Sequence, residues 1–368
     1  MSNTQRIVVK VGTSILTGGS PRLNPQHMLN IVGQTAALHQ AGHEVVLVTS
    51  AAVAAGRERL GFPELDASMP VKQMLSAVGQ IRLMQRYSEL YDLFAIVVAQ
   101  VLLTRADLSH RTRFLNARDT LLTLIDQRIV PIINENDTLA TEEIRVGDND
   151  NLSALVATLI EADALIILTD QDGLYTADPR SNPGAKLIEQ VERIDAALFQ
   201  LAGGSGTGLG TGGMVTKLQA AQLATRSGVT TFIASGRAPN VIARLLDGEP
   251  AGTRFEPQAG HVESRKRWLL VERTKGRLLV DSGAERMLLK GGASLLPVGI
   301  AAVEGEFKRG TTVSVIAPDG REIAHGLTSY DSADIRKLTG VKSAQIQQTL
   351  GYTNGDAIIH RNNLVLLT

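Results

Sequence analysis

Short apolar runs alternate with longer amphipathic segments through the N-terminal two-thirds of the chain. The first run, Arg6–Val11, is rich in β-branched residues and ends at Gly12, as expected of a buried strand. Asn24-Pro25 then supplies an N-cap and a proline at the first helical position, and apolar residues follow at helical spacing until Gly42. Further strands are predicted at Glu44–Thr49, Phe94–Val98, Ile129–Ile133, Ala164–Thr169 and Val229–Ala234. This alternation predicts an α/β fold with an open, mainly parallel sheet that helices cover on both faces.

The pattern changes after about Gly252. A polar stretch with Pro257, Gly260 and the basic cluster 265–267 is typical of a linker. Short strands divided by turns follow it, at Arg277–Val280, Thr312–Ile316, Glu322–Leu327 and Ala357–His360. We therefore predict a first domain over residues 1–257, a linker over 258–274 and a small, mainly β domain over 275–368.

Composition excludes several classes of protein. Lys+Arg and Asp+Glu balance at 37 each, so no net charge draws the chain to nucleic acid or to an anionic membrane. Cysteine is absent, which excludes disulfides, thiolate nucleophiles and cysteine-based zinc sites. Apolar runs are too short for a signal peptide or a membrane span, so we expect a cytoplasmic protein that has no membrane partner.

Polar residues follow the ends of several predicted strands, which lie on one edge of a parallel sheet, where ligands bind. Lys10, near the end of the first strand, can direct its ammonium at an anion or extend it into solvent. Ser50, after the second strand, can donate to a carboxylate or cap a turn. Each of these signals also has a structural alternative.

Three further segments add polar groups at the same edge. In Asn134-Glu-Asn-Asp137, Asp137 can hold an ammonium and the amides can hold carboxylates, although an Asx-turn is the alternative. Asp148-Asn-Asp-Asn151 offers more capping residues than one helix needs, which suggests ligand or metal binding. Thr169 and Asp170 begin a segment that can bind nucleotide or form a hairpin-like excursion.

A glycine-dense loop over residues 201–213 leads into a helix that carries Lys217 near its start. Inward-turned backbone N–H groups and a helix N-terminus suit phosphate, but the Gly-Lys-Ser/Thr triplet of a P-loop is missing. A flexible loop is the alternative for this stretch taken alone.

Together these segments resemble the amino acid kinase family over nearly the whole chain, with a C-terminal part similar to a PUA domain. The motifs that carry the resemblance are Val9–Ser14, Leu103–Asp107, Phe114–Asp119, Asn134–Asp137, Val146–Ala154, Gly173–Pro179, Gly208–Met214 and, in the PUA-like part, Gly291–Pro297. The resemblance implies a three-layer αβα sandwich with a small, mainly β PUA-like domain after it.

Within the family the motifs are most similar to enzymes that transfer phosphate from ATP to the side-chain carboxylate of L-glutamate, the first step of proline biosynthesis. The resemblance implies ATP and Mg²⁺ as cofactors and names no protein ligand for the metal. It implies that Lys10 and Lys217 stabilise charge on the moving phosphoryl group, and that Asp150 orients both lysines. The implied substrate contacts are Ser50, Asn134, Asp137, Asp148 and Asn149. The implied ATP contacts are Lys10, Thr169, Asp170 and Thr211, Gly212, Gly213, Met214, Val215, Thr216 and Lys217.

One position departs from the family pattern. Ala51 stands where the family commonly has glycine after the second strand. If this residue has a positive φ or lets the substrate approach its N–H, the methyl group strains the turn or crowds glutamate. We expect weaker glutamate binding than in an Ala51→Gly variant; the alternative is an ordinary conformation with little effect.

Two alternative functions remain open on sequence grounds. Another family member, such as an acetylglutamate, carbamate or nucleotide kinase, would share the fold and the lysines. An RNA-binding role for the PUA-like domain is disfavoured, because residues 275–368 hold 11 Lys+Arg against 9 Asp+Glu. Family resemblance further implies feedback inhibition by proline, a homo-oligomer (tetramer or dimer) and handover of the labile product to glutamyl phosphate reductase.

Overall fold

The computed structural model describes residues 4–139, 149–203, 213–258, 274–290 and 292–367. The chain divides into two compact units, Met1–Ala259 and Gly260–Thr368. Their boundary falls inside the segment 258–274, for which the sequence predicts a linker. Each unit has its own sheet and its own hydrophobic core.

The first unit is built on an eight-stranded sheet. In chain order its strands are β1 Arg6–Val11, β2 Glu44–Val48, β3 Val98–Leu103, β4 Val130–Glu135, β5 Ala164–Thr169, β6 Gln190–Val191, β7 Thr230–Ser235 and β8 Thr253–Phe255. Their order across the sheet is β3-β4-β2-β1-β5-β7-β8-β6. The pairings from β3 to β7 are parallel, and β8 runs antiparallel to β7. The central strands are buried and apolar, as expected of a sheet covered on both faces.

Helices cover this sheet on two sides. They are α1 Thr13–Thr17, α2 Pro25–Gln40, α3 Ala52–Arg59, α4 Met69–Asp92, α5 Arg105–Ser109, α6 Arg111–Asp126, α7 Asn149–Leu159, α8 Ala196–Gly203, α9 Met214–Arg226 and α10 Val241–Leu246. Ile7, Val9 and Val11 of β1 pack in a core with α2 and α4, whereas Val8 packs in a second core with α7 and α9. Because side chains alternate along a strand, the two cores lie on opposite faces. The predicted three-layer αβα sandwich is confirmed.

The predicted start of α2 is confirmed as well. Asn24 is its N-cap, and the Asn24 side chain accepts hydrogen bonds from the backbone N–H groups of Gln26 and His27. Pro25 takes the first helical position, where the missing N–H costs nothing.

The predicted strand Phe94–Val98 is wrong, because β3 begins only at Val98. The backbone N–H groups of Phe94 and Ile96 donate to the Tyr91 carbonyl and so end α4, and Ala95 has φ +55°. The apolar run therefore first forms a helix end and only afterwards a strand.

The second unit contains a five-stranded sheet and, within its described residues, three helices. The strands β9 Arg277–Val280, β10 Ile300–Glu304, β11 Thr312–Ile316, β12 Glu322–Leu327 and β13 Leu364–Leu366 lie in the order β10-β9-β11-β12-β13. The helices are α11 Ser282–Leu289, α12 Ser332–Leu338 and α13 Ile346–Leu350, and short 3₁₀ turns occupy Pro297–Gly299, Ser343–Gln345 and Arg361–Asn363. The predicted mainly β character of this unit is confirmed.

One predicted strand of the second unit is wrong. Ala357–His360 is not a regular strand, since Ile359 makes only an isolated bridge with Leu295, and its side chain fills the core instead. Strands β10 and β13 are not predicted by the sequence pattern. In the part of the chain that the structure describes, no helix is both long and apolar enough to span a membrane.

Candidate active site

A buried carboxylate between two lysines lies at the edge of the first sheet. Lys10 points to the same face of β1 as Val8, the face that α7 and α9 cover. Asp150 lies in the first turn of α7, and Lys217 lies one turn into α9. Asp150 Oδ1 is 2.6 Å from Lys10 Nζ, and Asp150 Oδ2 is 3.1 Å from Lys217 Nζ. The structure thus brings together the three residues for which the family resemblance implies catalysis.

The charge state of Asp150 follows from these neighbours. Burial alone would raise the pKa of the Asp150 carboxyl, but the ammonium groups of Lys10 and Lys217 outweigh it and lower the pKa to about 2. Thr216 Oγ1 donates a further hydrogen bond to Asp150 Oδ2 at 2.8 Å. Asp150 is therefore a carboxylate at neutral pH that orients two ammonium groups. The three charges sum to a positive site, which suits phosphate.

Beside Asp150, three buried side-chain amides form one hydrogen-bonded chain, hereafter the amide chain of Gln80, Asn134 and Asn149. Asn149 Nδ2 lies 2.6 Å from Thr49 O, 3.0 Å from Ser50 Oγ and 2.9 Å from Asn134 Oδ1, and its two hydrogens are shared among these three acceptors. Asn134 Nδ2 donates in turn to Gln80 Oε1 at 2.7 Å. Three of the expected substrate contacts, Ser50, Asn134 and Asn149, thus lie together.

Asp137 is held by a different contact. Ser76 Oγ of α4 donates to Asp137 Oδ2. Burial raises the pKa of the Asp137 carboxyl, and the hydrogen bond from Ser76 opposes that rise. A carboxyl group in this setting gains from an ammonium partner, because a positive charge favours its ionised form.

Helix α4 therefore supplies two residues, Ser76 and Gln80, that the sequence analysis missed. They are one helical turn apart on the buried face of α4, which otherwise carries Leu75, Leu83 and two tyrosines. Their signal in the sequence is a pair of polar residues at positions where the helical period requires apolar ones.

The expected nucleotide contacts fall at the neighbouring strand end and at the start of α9. Thr169 ends β5 opposite Ser235 of β7, and Thr169 Oγ1 donates to Asp170 Oδ1 at 3.2 Å. Gly213 is the N-cap of α9, and no side chain caps this helix start. Met214 and Val215 form the first turn of the helix together with Thr216 and Lys217. Thr211 and Gly212, together with Asp148, which is expected to contact the substrate, lie outside the described residues.

The segment after Asp170 turns back on itself as a hairpin-like excursion. Tyr175 forms an antiparallel bridge with Leu187, and the N–H of Ile188 donates to the carbonyl of Leu174. This geometry agrees with the alternative that the sequence left open for the segment. The nucleotide role of Thr169 and Asp170 stays a prediction.

Ala51, the position that departs from the family pattern, has φ +76° and ψ +12°. It precedes α3, and it is 7% exposed. An L-residue with a Cβ is disfavoured in this left-handed region. The backbone conformation that would make alanine costly at this position is therefore present.

Comparisons with known proteins show which family the chain belongs to. The family model described as "Amino acid kinase family" matches residues 5–235, and the PUA domain model matches residues 276–350. A glutamate 5-kinase of Sodalis glossinidius (strain morsitans) is 54% identical over 366 residues, which are 100% of this chain and 100% of the relative. A glutamate 5-kinase of Cronobacter sakazakii (strain ATCC BAA-894) is 54% identical over 99% of this chain and 100% of its own length. Among solved structures, the UMP kinase from Bacillus anthracis has a TM-score of 0.48 and 16% identity, over 69% of this chain and 97% of that one.

Proposed function

The chain belongs to the amino acid kinase family, and we propose that the site around Asp150 carries out ATP-dependent phosphorylation of the side-chain carboxylate of L-glutamate. Relatives named glutamate 5-kinase are 54% identical to this chain over its full length, and this similarity supports the reaction, which is the first step of proline biosynthesis. The observation that carries the residue roles is the pair of ammonium groups held 2.6 and 3.1 Å from one carboxylate.

The chemistry requires charge stabilisation more than proton transfer. A glutamate side chain is ionised at neutral pH, so its oxygen attacks the γ-phosphorus without a general base. The bond from that phosphorus to the β,γ-bridging oxygen breaks, and ADP leaves with the electron pair. Lys10 offsets the repulsion between the carboxylate and the triphosphate, and Lys217 stabilises the charge that develops on the leaving side. Asp150 holds both lysines in place, which lowers the reorganisation that the transition state requires.

Substrate recognition is assigned to the residues next to Asp150. Asp137 accepts from the ammonium group of glutamate, and its contact with Ser76 keeps the carboxylate in place beforehand. Ser50, Asn134 and Asn149 contact the polar groups of the amino acid through the hydrogen-bonding atoms that their own contacts leave available. Asp148 is a neighbour of Asn149 in sequence and belongs to the same proposed subsite.

ATP is assigned to the sheet edge beyond Lys10. Thr169 and Asp170 contact the nucleotide, and Thr211 through Lys217 bring backbone N–H groups and an ammonium to its phosphates. Mg²⁺ fits this donor set when phosphate oxygens and water supply most of its ligands, since both Asp150 oxygens already have partners. Within the described ranges, no group of three or more His, Asp or Glu residues could hold a metal ion. When bound with ATP, the ion neutralises charge on the phosphates.

Four further properties are proposed from the family resemblance. They are inhibition by proline at a site that overlaps the glutamate site, assembly into a homo-oligomer, handover of the labile acyl phosphate to glutamyl phosphate reductase and a cytoplasmic location. Proline shares the α-carboxylate and the amino nitrogen of glutamate, so the same polar groups can contact both amino acids.

The test of the proposed function is ADP release by the purified protein with Mg²⁺-ATP and a panel of acceptors. We expect turnover with L-glutamate, little with N-acetyl-L-glutamate, carbamate or UMP, and a rise in the KM for glutamate as proline is added. Turnover with acetylglutamate alone, or ATP hydrolysis that is independent of glutamate, would refute the proposal.

A further inference from the structure

The orientation of the amide chain is fixed by the backbone at two points. Thr49 O can only accept a hydrogen bond, so Asn149 presents Nδ2 to it. The N–H of Glu135 can only donate, so Asn134 presents Oδ1 to it at 2.9 Å. Asn134 Nδ2 is thereby left to donate to Gln80 Oε1. Each of the three amides thus has one orientation and no equivalent flipped state.

Gln80 is an unusual residue for its place in α4. It is 8% exposed, and its neighbours on the buried face of the helix are mainly apolar. In the part of the chain that the structure describes, Gln80 Nε2 makes no hydrogen bond, so the amide is paired through its oxygen alone. A buried amide with an unpaired donor is a poor choice for core stability, because an apolar side chain of equal length avoids that donor. The one bond it does make leads to Asn134 and through it to Asn149.

We propose that Gln80 is a positioning residue for the amino acid substrate. It acts through the amide chain: Gln80 Oε1 fixes Asn134, and Asn134 Oδ1 holds the Nδ2 group of Asn149. Asn149 lies at 4% exposure, and among the described residues its Oδ1 has no hydrogen-bond partner, so the fixed amide chain presents one acceptor with a defined direction. This acceptor serves an N–H group of the substrate. The inference rests on the proposed function, because Asn149 is assigned to the substrate there.

Among the described residues, the amide chain contacts one half of the site. Its members contact Thr49 and Ser50, whereas the lysine-bridged Asp150 has its own contacts with Lys10, Thr216 and Lys217. Loss of the Gln80 bond therefore loosens the binding of the amino acid and leaves the phosphoryl-transfer groups in place. If Gln80 had a purely structural role, its loss would instead change kcat and both KM values together, or change none of them.

The test is a double-mutant cycle between Gln80→Met and Asn149→Ala, with steady-state kinetics in glutamate and in ATP. For Gln80→Met we expect a KM for glutamate about tenfold higher, the scale of one lost hydrogen bond, with kcat and the KM for ATP changed by less than about twofold. In the Asn149→Ala background, Gln80→Met should add less than about a twofold effect, because its route to the substrate is already cut. The matched control is Gln85→Met, the same change on the exposed face of α4, which should match the wild type.

A second variant separates positioning from folding. Gln80→Glu keeps an oxygen opposite Asn134 Nδ2, and it should retain a KM for glutamate within about threefold of the wild type. A wild-type KM in Gln80→Met, equal effects of Gln80→Met in both backgrounds, or a tenfold loss in Gln80→Glu would overturn the proposal. A wild-type enzyme without glutamate turnover would instead refute the proposed function itself.

Discussion

At the scale of single residues, Ala51 carries backbone strain next to Ser50, a proposed substrate contact. Its φ of +76° is a conformation that glycine adopts freely and alanine does not. We expect Ala51→Gly to raise the free energy of unfolding by about 1 kcal/mol and to lower the KM for glutamate. Denaturant titration and steady-state kinetics measure the two effects.

The control for this change is Ala54→Gly, three residues further on in α3. That position is helical, so glycine should lower the free energy of unfolding by about 1 kcal/mol. A loss of stability in Ala51→Gly would contradict the strain. An unchanged KM and kcat would show that the methyl group does not crowd the substrate.

Asp150 links the site to acid stability. Its pKa is about 2 in the folded protein against an ordinary value of 3.8, so folding favours its ionised form. A lowered folded-state pKa gives stability that is complete above about pH 4 and is lost as the pH falls toward 2. The shift corresponds to about 2 kcal/mol. We expect the gap in unfolding free energy between the wild type and Asp150→Asn to narrow over this range in denaturant titrations. A difference in unfolding free energy that stays constant from pH 7 to pH 3 would contradict the lowered pKa of Asp150.

At the scale of elements, the close contact between α3 and α4 sets the position of both segments that are proposed to bind the substrate. A Cβ at Gly79 would lie 1.8 Å from Ala52 O and 2.4 Å from Gly56 N, and one at Gly56 would lie 1.9 Å from Leu75 O. The helices therefore approach at backbone distance. This contact holds the Ser50–Ala51 turn against the helix that carries Ser76 and Gln80.

Gly79→Ala should push the two helices apart. Because no flexible side chain can absorb the methyl group, we expect a loss of at least about 2 kcal/mol in unfolding free energy, together with a higher KM for glutamate. Gly33→Ala in α2 is the matched control: its Cβ would lie 3.8 Å from Phe94 Cζ, an ordinary contact, and it should stabilise the helix. Equal stability of the two variants, measured by thermal melting, would contradict the packing argument.

The elements show which parts of the fold the sequence pattern can predict. Buried strands such as β1 and β5 follow directly from short β-branched runs that end in polar or glycine residues. The strand predicted from Phe94 to Val98 is wrong for a physical reason: an apolar segment gives no sign of whether a preceding helix continues into it. Strand β13, of three residues, is too short to give a periodic signal, and its pairing with β12 is a tertiary effect.

At the scale of the whole molecule, the chain is two units with separate cores, and the site described lies in the first. The carboxyl ends of parallel strands lie on one sheet edge, and this alone predicts from the sequence that the edge carries Lys10, Ser50, Asn134 and Thr169. Ser76 and Gln80 do not follow from it, because they lie in the middle of a helix and reach the site only through the packing of α4 on α3. The exact pairing of Asp150 with two lysines likewise requires the relative positions of β1, α7 and α9.

The central claim, phosphoryl transfer to glutamate between two lysines that Asp150 holds, is tested most directly at Lys217. In Lys217→Ala, Asp150 keeps its 2.6 Å partner Lys10, so the buried carboxylate stays compensated and we expect a melting temperature close to that of the wild type. The kcat for glutamate-dependent ADP release should fall by at least about a hundredfold, the scale of one lost transition-state contact. Lys290→Ala, at an exposed lysine of the second unit, should match the wild type. A folded Lys217→Ala protein with wild-type kcat would contradict the account.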